Sequence, residues 1–295
     1  MVRRPDAERA YATFGYVCIA ILSILSFYPI FYIVSLSLTS AAEWTEKMGT
    51  VIVPSNPTLM GYKMIFTKNS IIINAFFVSV LRTAVGTALG LTPTLLFGYI
   101  VSRKKLPFRK GIMVFVMITI LFNGGLIPTY LVVQETRLYN SFWALIVPGI
   151  IDSWNVLIFK QFFENIPAEL EESAQMDGAG EMTMMTRIII PMSGPVIAAL
   201  GLFTAVGHWN SWFDVLLYIK DEKMQPLQFI LRNMFASSLA TDLNGLYSSL
   251  STGTRVSDIS LRMAVAVIGI VPILCVYPFL QKHFTKGIYI GAVKG

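Results

Sequence analysis

From Ala10 to Ala42 the chain carries no charged residue, and the run closes only at Glu43. A helix crossing the hydrocarbon of a bilayer needs about 20 mainly apolar residues, so this run can span one with residues to spare. Within it Phe14 to Leu38 makes the first span. The second runs from about Ile71 to Val101, interrupted only by Arg82, and the third, Gly111 to Gln134, is again charge-free. Asn123, Gly124, Gly125 and Pro128 predict an irregular middle for that third span. The fourth is roughly Ser141 to Phe159, the fifth roughly Pro191 to Leu217 and the sixth roughly Leu261 to Leu280. Backbone polar groups in hydrocarbon must be satisfied within the segment, so these windows read as helices rather than as short alternating strands. Composition agrees: 55% of residues are apolar and 14% charged, where a soluble domain carries roughly a quarter charged residues. The mean hydropathy is +0.64. The expected fold class is an all-α, polytopic membrane protein with six transmembrane helices.

Lys and Arg in short connections favour the cytoplasmic side. Arg3, Arg4 and Arg9 precede the first span, Arg103, Lys104, Lys105, Arg109 and Lys110 lie between the second and third, and Lys282, Lys286 and Lys294 follow the sixth. All three clusters fall on one side of a six-span path, which places both termini in the cytoplasm. The domain reading is a cytoplasmic N-terminal segment, 1–13, and a membrane domain, 14–295, with a cytoplasmic loop at 165–191. These clusters account for the net charge of +6, which therefore does not argue for nucleic acid. The first span exceeds the usual apolar core of a signal peptide, about 7–15 residues, and is read as retained. Cys18 and Cys275 both fall inside spans, where a thiol packs as a small apolar group.

The loop at 165–191 is too polar to cross a membrane. Pro167 suits the first turn of a helix, and Glu169, Glu171 and Glu172 follow where the positive end of the helix dipole favours acids. Gly178 supplies a stop. A helix from Pro167 to Asp177 would be only about 16 Å long at 1.5 Å per residue. Leu170, Ser173, Ala174 and Asp177 recur on one of its faces. Such a helix can enter a groove on a soluble partner or lie on lipid headgroups, and physics alone does not separate the two.

The spacing in this loop resembles the cytoplasmic signature of ABC importer permeases, Glu-Ala-Ala, three residues, Gly, nine residues, Ile-x-Leu-Pro. Here Glu172, Ser173 and Ala174 are followed after three residues by Gly178, and after nine more by Ile188, Ile189, Ile190 and Pro191. Ser173 and Ile190 depart conservatively from the pattern, and Asp177 is the family's usual residue before the Gly. The segment from Phe122 to Tyr130, that from Trp209 to Asp214, and the ending from Lys286 to Gly295 resemble the carbohydrate-uptake branch, near the smaller maltose permease and the alginate and oligosaccharide permeases. The resemblance implies a type I ABC importer permease fold in a bacterial cytoplasmic membrane. It implies a second, non-identical permease, two ATP-binding subunits, an extracytoplasmic solute-binding protein, and a sugar or oligosaccharide as cargo. Leu170, Glu172, Ser173, Ala174, Asp177, Gly178, Ile188 and Pro191 would then form the coupling segment that meets an ATP-binding subunit.

No Gly-x-x-x-x-Gly-Lys-Ser/Thr loop occurs, so the chain is not its own ATPase of that type; ATP and Mg would act through partner subunits, with no cofactor bound directly. His208 and His283 are the two histidines and lack metal-ligand spacing, so neither a metal site nor a catalytic residue is expected. Polar groups within spans point to a path, because they are costly in lipid. The candidates are Arg82, Asp152, Asn155, His208, Asn210 and Asp214, with Trp209 and Trp212 beside the last two. A sugar's C–H face stacks on aromatic rings while its hydroxyls need polar partners. The alternative is equally physical: tryptophans concentrate at bilayer interfaces, and intramembrane Asn and Asp tie helices together. Arg82 either pairs with an acid or faces a water-filled cavity. An ion-driven secondary transporter using Arg82, Asp152 and Asp214 as a relay, and a membrane-embedded assembly protein, are the competing classes. The connection from Tyr218 to Ser260, rich in Ser, Thr, Gly and Asn between Ser237 and Asp258, is expected outside the cell.

Overall fold

The structure is a computed structural model and describes residues 6–67, 70–236 and 258–292; most of the connection expected outside the cell, 237–257, lies outside the described residues. Among the described residues there is no strand, in keeping with the all-α expectation. A long helix α1 (Asp6–Ser37) is followed by the short α2 (Ala41–Glu46) and α3 (Met60–Ile65), then by α4 (Ile71–Ser102). Next come α5 (Arg109–Leu121) and α6 (Leu126–Glu135). Two 3-10 turns, Phe142–Leu145 and Val147–Gly149, lead into α7 (Ser153–Glu164) and α8 (Ala168–Met176). Then α9 (Glu181–Met184), a π-helical turn Met185–Ile189 and α10 (Ile190–Met192) run into α11 (Gly194–Asn210). The last helices are α12 (Phe213–Tyr218), α13 (Leu227–Ala236) and α14 (Asp258–Ala292).

Three stretches, Tyr11–Ser37, Ile71–Ser102 and Ile259–Val276, are long and apolar enough to cross a membrane unaided. Three more reach that length as bent pairs: α5 with α6 at 112°, the 3-10 turns with α7 at 49°, and Glu181–Met192 with α11 at 77°. The expected irregularity of the third stretch is found where Gly125 adopts a φ of +85°. The sequence reading gives the fourth and fifth as unbroken spans, and the structure breaks both. Pro148 and Gly149 hold the fourth in turns until Asp152 starts α7, its Oδ1 accepting the N–H of Asn155 at 2.9 Å, which is an N-cap. In the fifth, Ser193 ends α10, and Pro195 falls in the first turn of α11, where the missing N–H costs nothing. A second break at Ser211 and Trp212 separates α11 from α12.

By packing, the chain divides into two units, 1–70 with 233–270, and 71–232 with 271–295. In the first, the loop after α1 is stitched by backbone and side chains: the Thr58 N–H donates to the Leu38 carbonyl at 2.8 Å, and the Ser37 and Tyr62 hydroxyls are 2.7 Å apart. Glu43 is buried, takes the Lys47 ammonium at 2.7 Å and accepts the Ser55 N–H at 2.6 Å. Those donors hold its carboxyl down to about 2. α3 lies close to the start of α14, where a Cβ on Gly61 would come 3.5 Å from the Ser260 carbonyl oxygen. On α1, Tyr16, Ile24 and Phe27 remain exposed.

The second unit is built around α4, which packs along α7 and α11. The reason lies in one stripe of its sequence, Gly86, Gly90, Thr94 and Gly98, each four residues from the next and so on one face. Small residues let helices approach where lipid provides no hydrophobic drive. A Cβ on Gly98 would fall 2.6 Å from Phe159 Cβ and 3.2 Å from the Val156 carbonyl oxygen; one on Gly86 would fall 2.6 Å from His208 Nε2. Below this face Leu95, Tyr99, Phe159, Phe163, Met184, Ile189 and Leu200 form a continuous core, with the Phe159 and Phe163 rings stacked at 5.8 Å.

Candidate functional site

Arg82, Gly90, Leu91 and Thr94 of α4 form one wall of a cavity of about 550 Å³, lined also by the 3-10 turns, the start of α7, α11 and the head of α12. Arg82, one turn before Gly86, is 2% exposed. Its guanidinium pairs with the Asp214 carboxylate and donates to the Ser211 carbonyl at 3.3 Å and the Leu145 carbonyl at 3.4 Å. Asp214 is itself held by Ser211 Oγ at 2.8 Å and the Val215 N–H at 2.9 Å. The break at Ser211 thus becomes an anchor, because it frees a carbonyl for the arginine and turns Asp214 toward it. A buried charge needs such partners. Both alternatives for Arg82 hold at once: it is paired, and it lines the cavity.

Asp152 and Asn155 line the same space, and the Asp152 N–H donates to Thr94 Oγ1 at 3.3 Å, tying the start of α7 to α4. Thr94, Thr204, Ser211 and His208 add polar groups to the wall. Sequence reasoning passed over Thr94, Thr204 and Ser211. The spacing of Arg82, Gly90 and Thr94, at multiples of four along one helix, is the signal that could have found the wall, since it keeps them on one side of α4.

Trp209, Asn210 and Trp212 fall elsewhere. Neither Trp209 nor Asn210 is among the residues that line the cavity with His208. Trp209 is buried edge-on to Phe76, ring centres 5.9 Å apart, and helps line an apolar groove with Val80, Leu202 and Pro272. Asn210 is exposed and meets Gln228 at 3.5 Å. Trp212, past the break, packs on a cluster of Leu145, Val215, Ile219 and Phe229, under the Arg232 guanidinium at 4.5 Å from the ring centre.

At the other end of α4 sits α8, with Pro167 and Asp177 flanking it as its caps, within one residue of the helix expected from sequence. Gly178 ends it at a φ of +81°. The Gly178 N–H donates to the Gln175 carbonyl at 3.0 Å and the Ala179 N–H to the Ala174 carbonyl at 2.9 Å, the paired bonds of a Schellman turn. Ala174 packs inward against the core. Leu170, Glu172, Ser173 and Asp177 are exposed, and so is Met176, at 89%. Ile188 packs against the same core from the π-helical turn, and Pro191 stands exposed in α10, where the backbone turns into α11.

Arg103, just beyond the last residue of α4, reaches both sides of the Gly178 turn. Its Nη1 is 2.5 Å from Glu171 Oε2 on α8, and its Nε is 3.6 Å from Glu181 Oε2 on α9. The guanidinium lies 4.2 Å over the Tyr99 ring, and the Tyr99 hydroxyl donates to Glu181 Oε2 at 2.9 Å. Burial works against its charge, but Glu171 and Tyr99 outweigh it and hold the group above its ordinary range. Arg109 pairs with Glu164 at the end of α7, and Lys160 meets the same carboxylate at 2.8 Å. Among the described residues no cluster of His, Cys, Asp and Glu could hold a metal ion.

No family model matches the chain. It is 37% identical to the polygalacturonan/rhamnogalacturonan transport system permease protein YtcP of Bacillus subtilis, over 98% of this chain and 99% of the relative. It is 41% identical to protein LplC of the same organism, over 90% of this chain and 89% of the relative. Among solved structures it shares its fold with a chain of a bacterial ABC transporter involved in the import of the acidic polysaccharide alginate. That match has a TM-score of 0.87 at 24% identity and covers 96% of this chain and 100% of the other.

Proposed function

This chain belongs to the permease subunits of binding-protein-dependent ABC sugar importers, and we propose that it forms one half of the membrane path of such an importer in the cytoplasmic membrane of a bacterium. Each bent pair counts as one span, giving six, with both termini on the cytoplasmic side where the Lys and Arg clusters lie. A second, non-identical permease completes the path. A solute-binding protein outside delivers the sugar, and two ATP-binding subunits hydrolyse Mg-ATP, which this chain does not bind.

The observation that carries this reading is α8, a short helix with Leu170, Glu172, Ser173 and Met176 exposed and with its end fixed by Gly178. Apolar side chains exposed beside a carboxylate, between two spans, suit the cleft of a soluble partner better than a solvated loop. Asp177 and Gly178 set where the helix ends, Ala174 and Ile188 tie it to the core, and Pro191 marks the return into the membrane. In the path, Asp152, Asn155 and Asp214 offer acceptors and donors to sugar hydroxyls, with Arg82 fixing Asp214. Trp209, Asn210 and Trp212 pack around the path rather than line it. The cargo is a sugar or oligosaccharide, and fragments of polygalacturonan and rhamnogalacturonan, named for a relative, are the first to test. Uptake of labelled oligogalacturonide in cells should stop on ATP depletion and persist when an ionophore collapses the ion gradient. The reverse pattern would support an ion-driven transporter instead.

A further inference from the structure

We propose that Arg103 is the positioning residue through which the cytoplasmic segment drives α4, a role that rests on the reading of α8 as the coupling helix. Glu171 and Glu181 stand on opposite sides of the Gly178 turn, and Arg103 meets both, at 2.5 Å and 3.6 Å. One fork therefore closes the α8–α9 loop onto the end of α4. The pair with Glu171 is sheltered, with 20% of the Arg103 side chain and 25% of the Glu171 side chain exposed, so water screens it less than a surface pair. Tyr99, one turn back on the same face, stacks under the guanidinium and binds Glu181, so the contact is made by two residues of α4. A cation at this place also complements the negative end of the helix dipole.

α4 is the element suited to carry the movement onward. Although Pro93 lies inside it, it is continuous from Ile71 to Ser102, whereas the spans beside it are bent by 49° and 77°. Arg82 lies on it about 32 Å from Arg103 at 1.5 Å per residue. A displacement of α8 is thus delivered to the wall that holds the Arg82–Asp214 pair and the Asp152–Thr94 bond. Energetic coupling over such distances can be carried by a single helix with defined contacts at both ends, and α4 has them.

The test uses the complete importer, purified with its partners and reconstituted in vesicles, and reads sugar taken up per ATP hydrolysed. R103Q is expected to lower that ratio about tenfold, within the usual range of coupling between sites, while the ATP-binding subunits remain bound. The exchanged pair R103E/E171R, made together with E181Q so that the new glutamate does not face a second carboxylate, is expected to restore at least half of the ratio. A purely structural role would lower assembly and ATPase activity together and leave the ratio unchanged, which would overturn the proposal; so would failure of the exchanged pair in a fully assembled complex. If R103Q does not assemble, the exchanged pair alone decides, by its ratio. E172A separates the two readings. Loss of ATPase coupling in E172A beside a normal ratio in R103Q overturns only the role of Arg103, whereas a normal E172A removes the coupling helix and the role of Arg103 with it.

Discussion

At the scale of single residues, Gly178 and Gly98 show two different needs for the same side chain. At Gly178 no atom lies within 4 Å of a built Cβ, and the constraint is the φ of +81° alone. Gly178→Ala should therefore cost roughly 1–2 kcal/mol of backbone strain in the Schellman turn, and Gly178→Asn less, since Asn tolerates that conformation. Sugar uptake with normal membrane abundance should fall in that order. At Gly98 the backbone is ordinary and the space is missing, with Phe159 Cβ 2.6 Å from the added carbon. Gly98→Ala should destabilise by about 1–3 kcal/mol through overpacking, read as a lower unfolding temperature in detergent. Asp214→Ala should cost about 3 kcal/mol, because it leaves Arg82 buried without its carboxylate. The double change Arg82→Met with Asp214→Leu should cost less than the single one. A double variant less stable than Asp214→Ala would show that the pair contributes net stability.

At the scale of elements, the sequence was most legible where chemistry is local. Pro167, three early glutamates and Gly178 mark α8 to within a residue, because capping depends on neighbours in the chain. The third span's break was visible in Asn123, Gly124 and Gly125 for the same reason. The breaks in the fourth and fifth spans were not read, although Pro148, Gly149, Asp152 and Pro195 carry them, because apolar windows report length and say nothing of direction. Asp152 was singled out as a path residue, and it does line the cavity, but its cap on α7 is a local role that spacing alone would have shown. The meeting of Arg82 with Asp214 joins residues far apart in the chain, and no local signal specifies such a partner. Trp209 and Trp212, singled out by residue type, lie outside the cavity lining, because residue type does not say which face of a helix a side chain takes. For α2 and the loop after it, Glu43 gives a pH test. Its carboxyl is held down from an ordinary 4.5 to about 2, so its contribution is complete above about pH 4.5 and is lost as the pH falls toward 2. Hydrogen exchange at Ser55 and Asn56 should stay slow, after correction for intrinsic rate, until that window is entered. In Glu43→Gln it should already be fast at neutral pH.

At the scale of the whole molecule, apolar side chains stand exposed in two settings, Tyr16, Ile24 and Phe27 on α1 and Leu170 and Met176 on the polar loop at α8. Mild-detergent extraction of the tagged chain should recover a second permease and an ATP-binding subunit by mass spectrometry. Recovery of the chain alone under several gentle conditions would count against the assembly. One consequence follows from the glycine stripe of α4. At Gly86 and Gly98 the helix is met at closest approach by His208 and by Phe159 and Val156, so α4 has no room there to shift or to add side chains, and its cavity-lining residues Arg82, Gly90, Leu91 and Thr94 are held in place. Divergence among importers of this kind should instead collect on the facing wall, at Asn155, Phe203 and Thr204, leaving α4 as the conserved ruler against which each new sugar is measured.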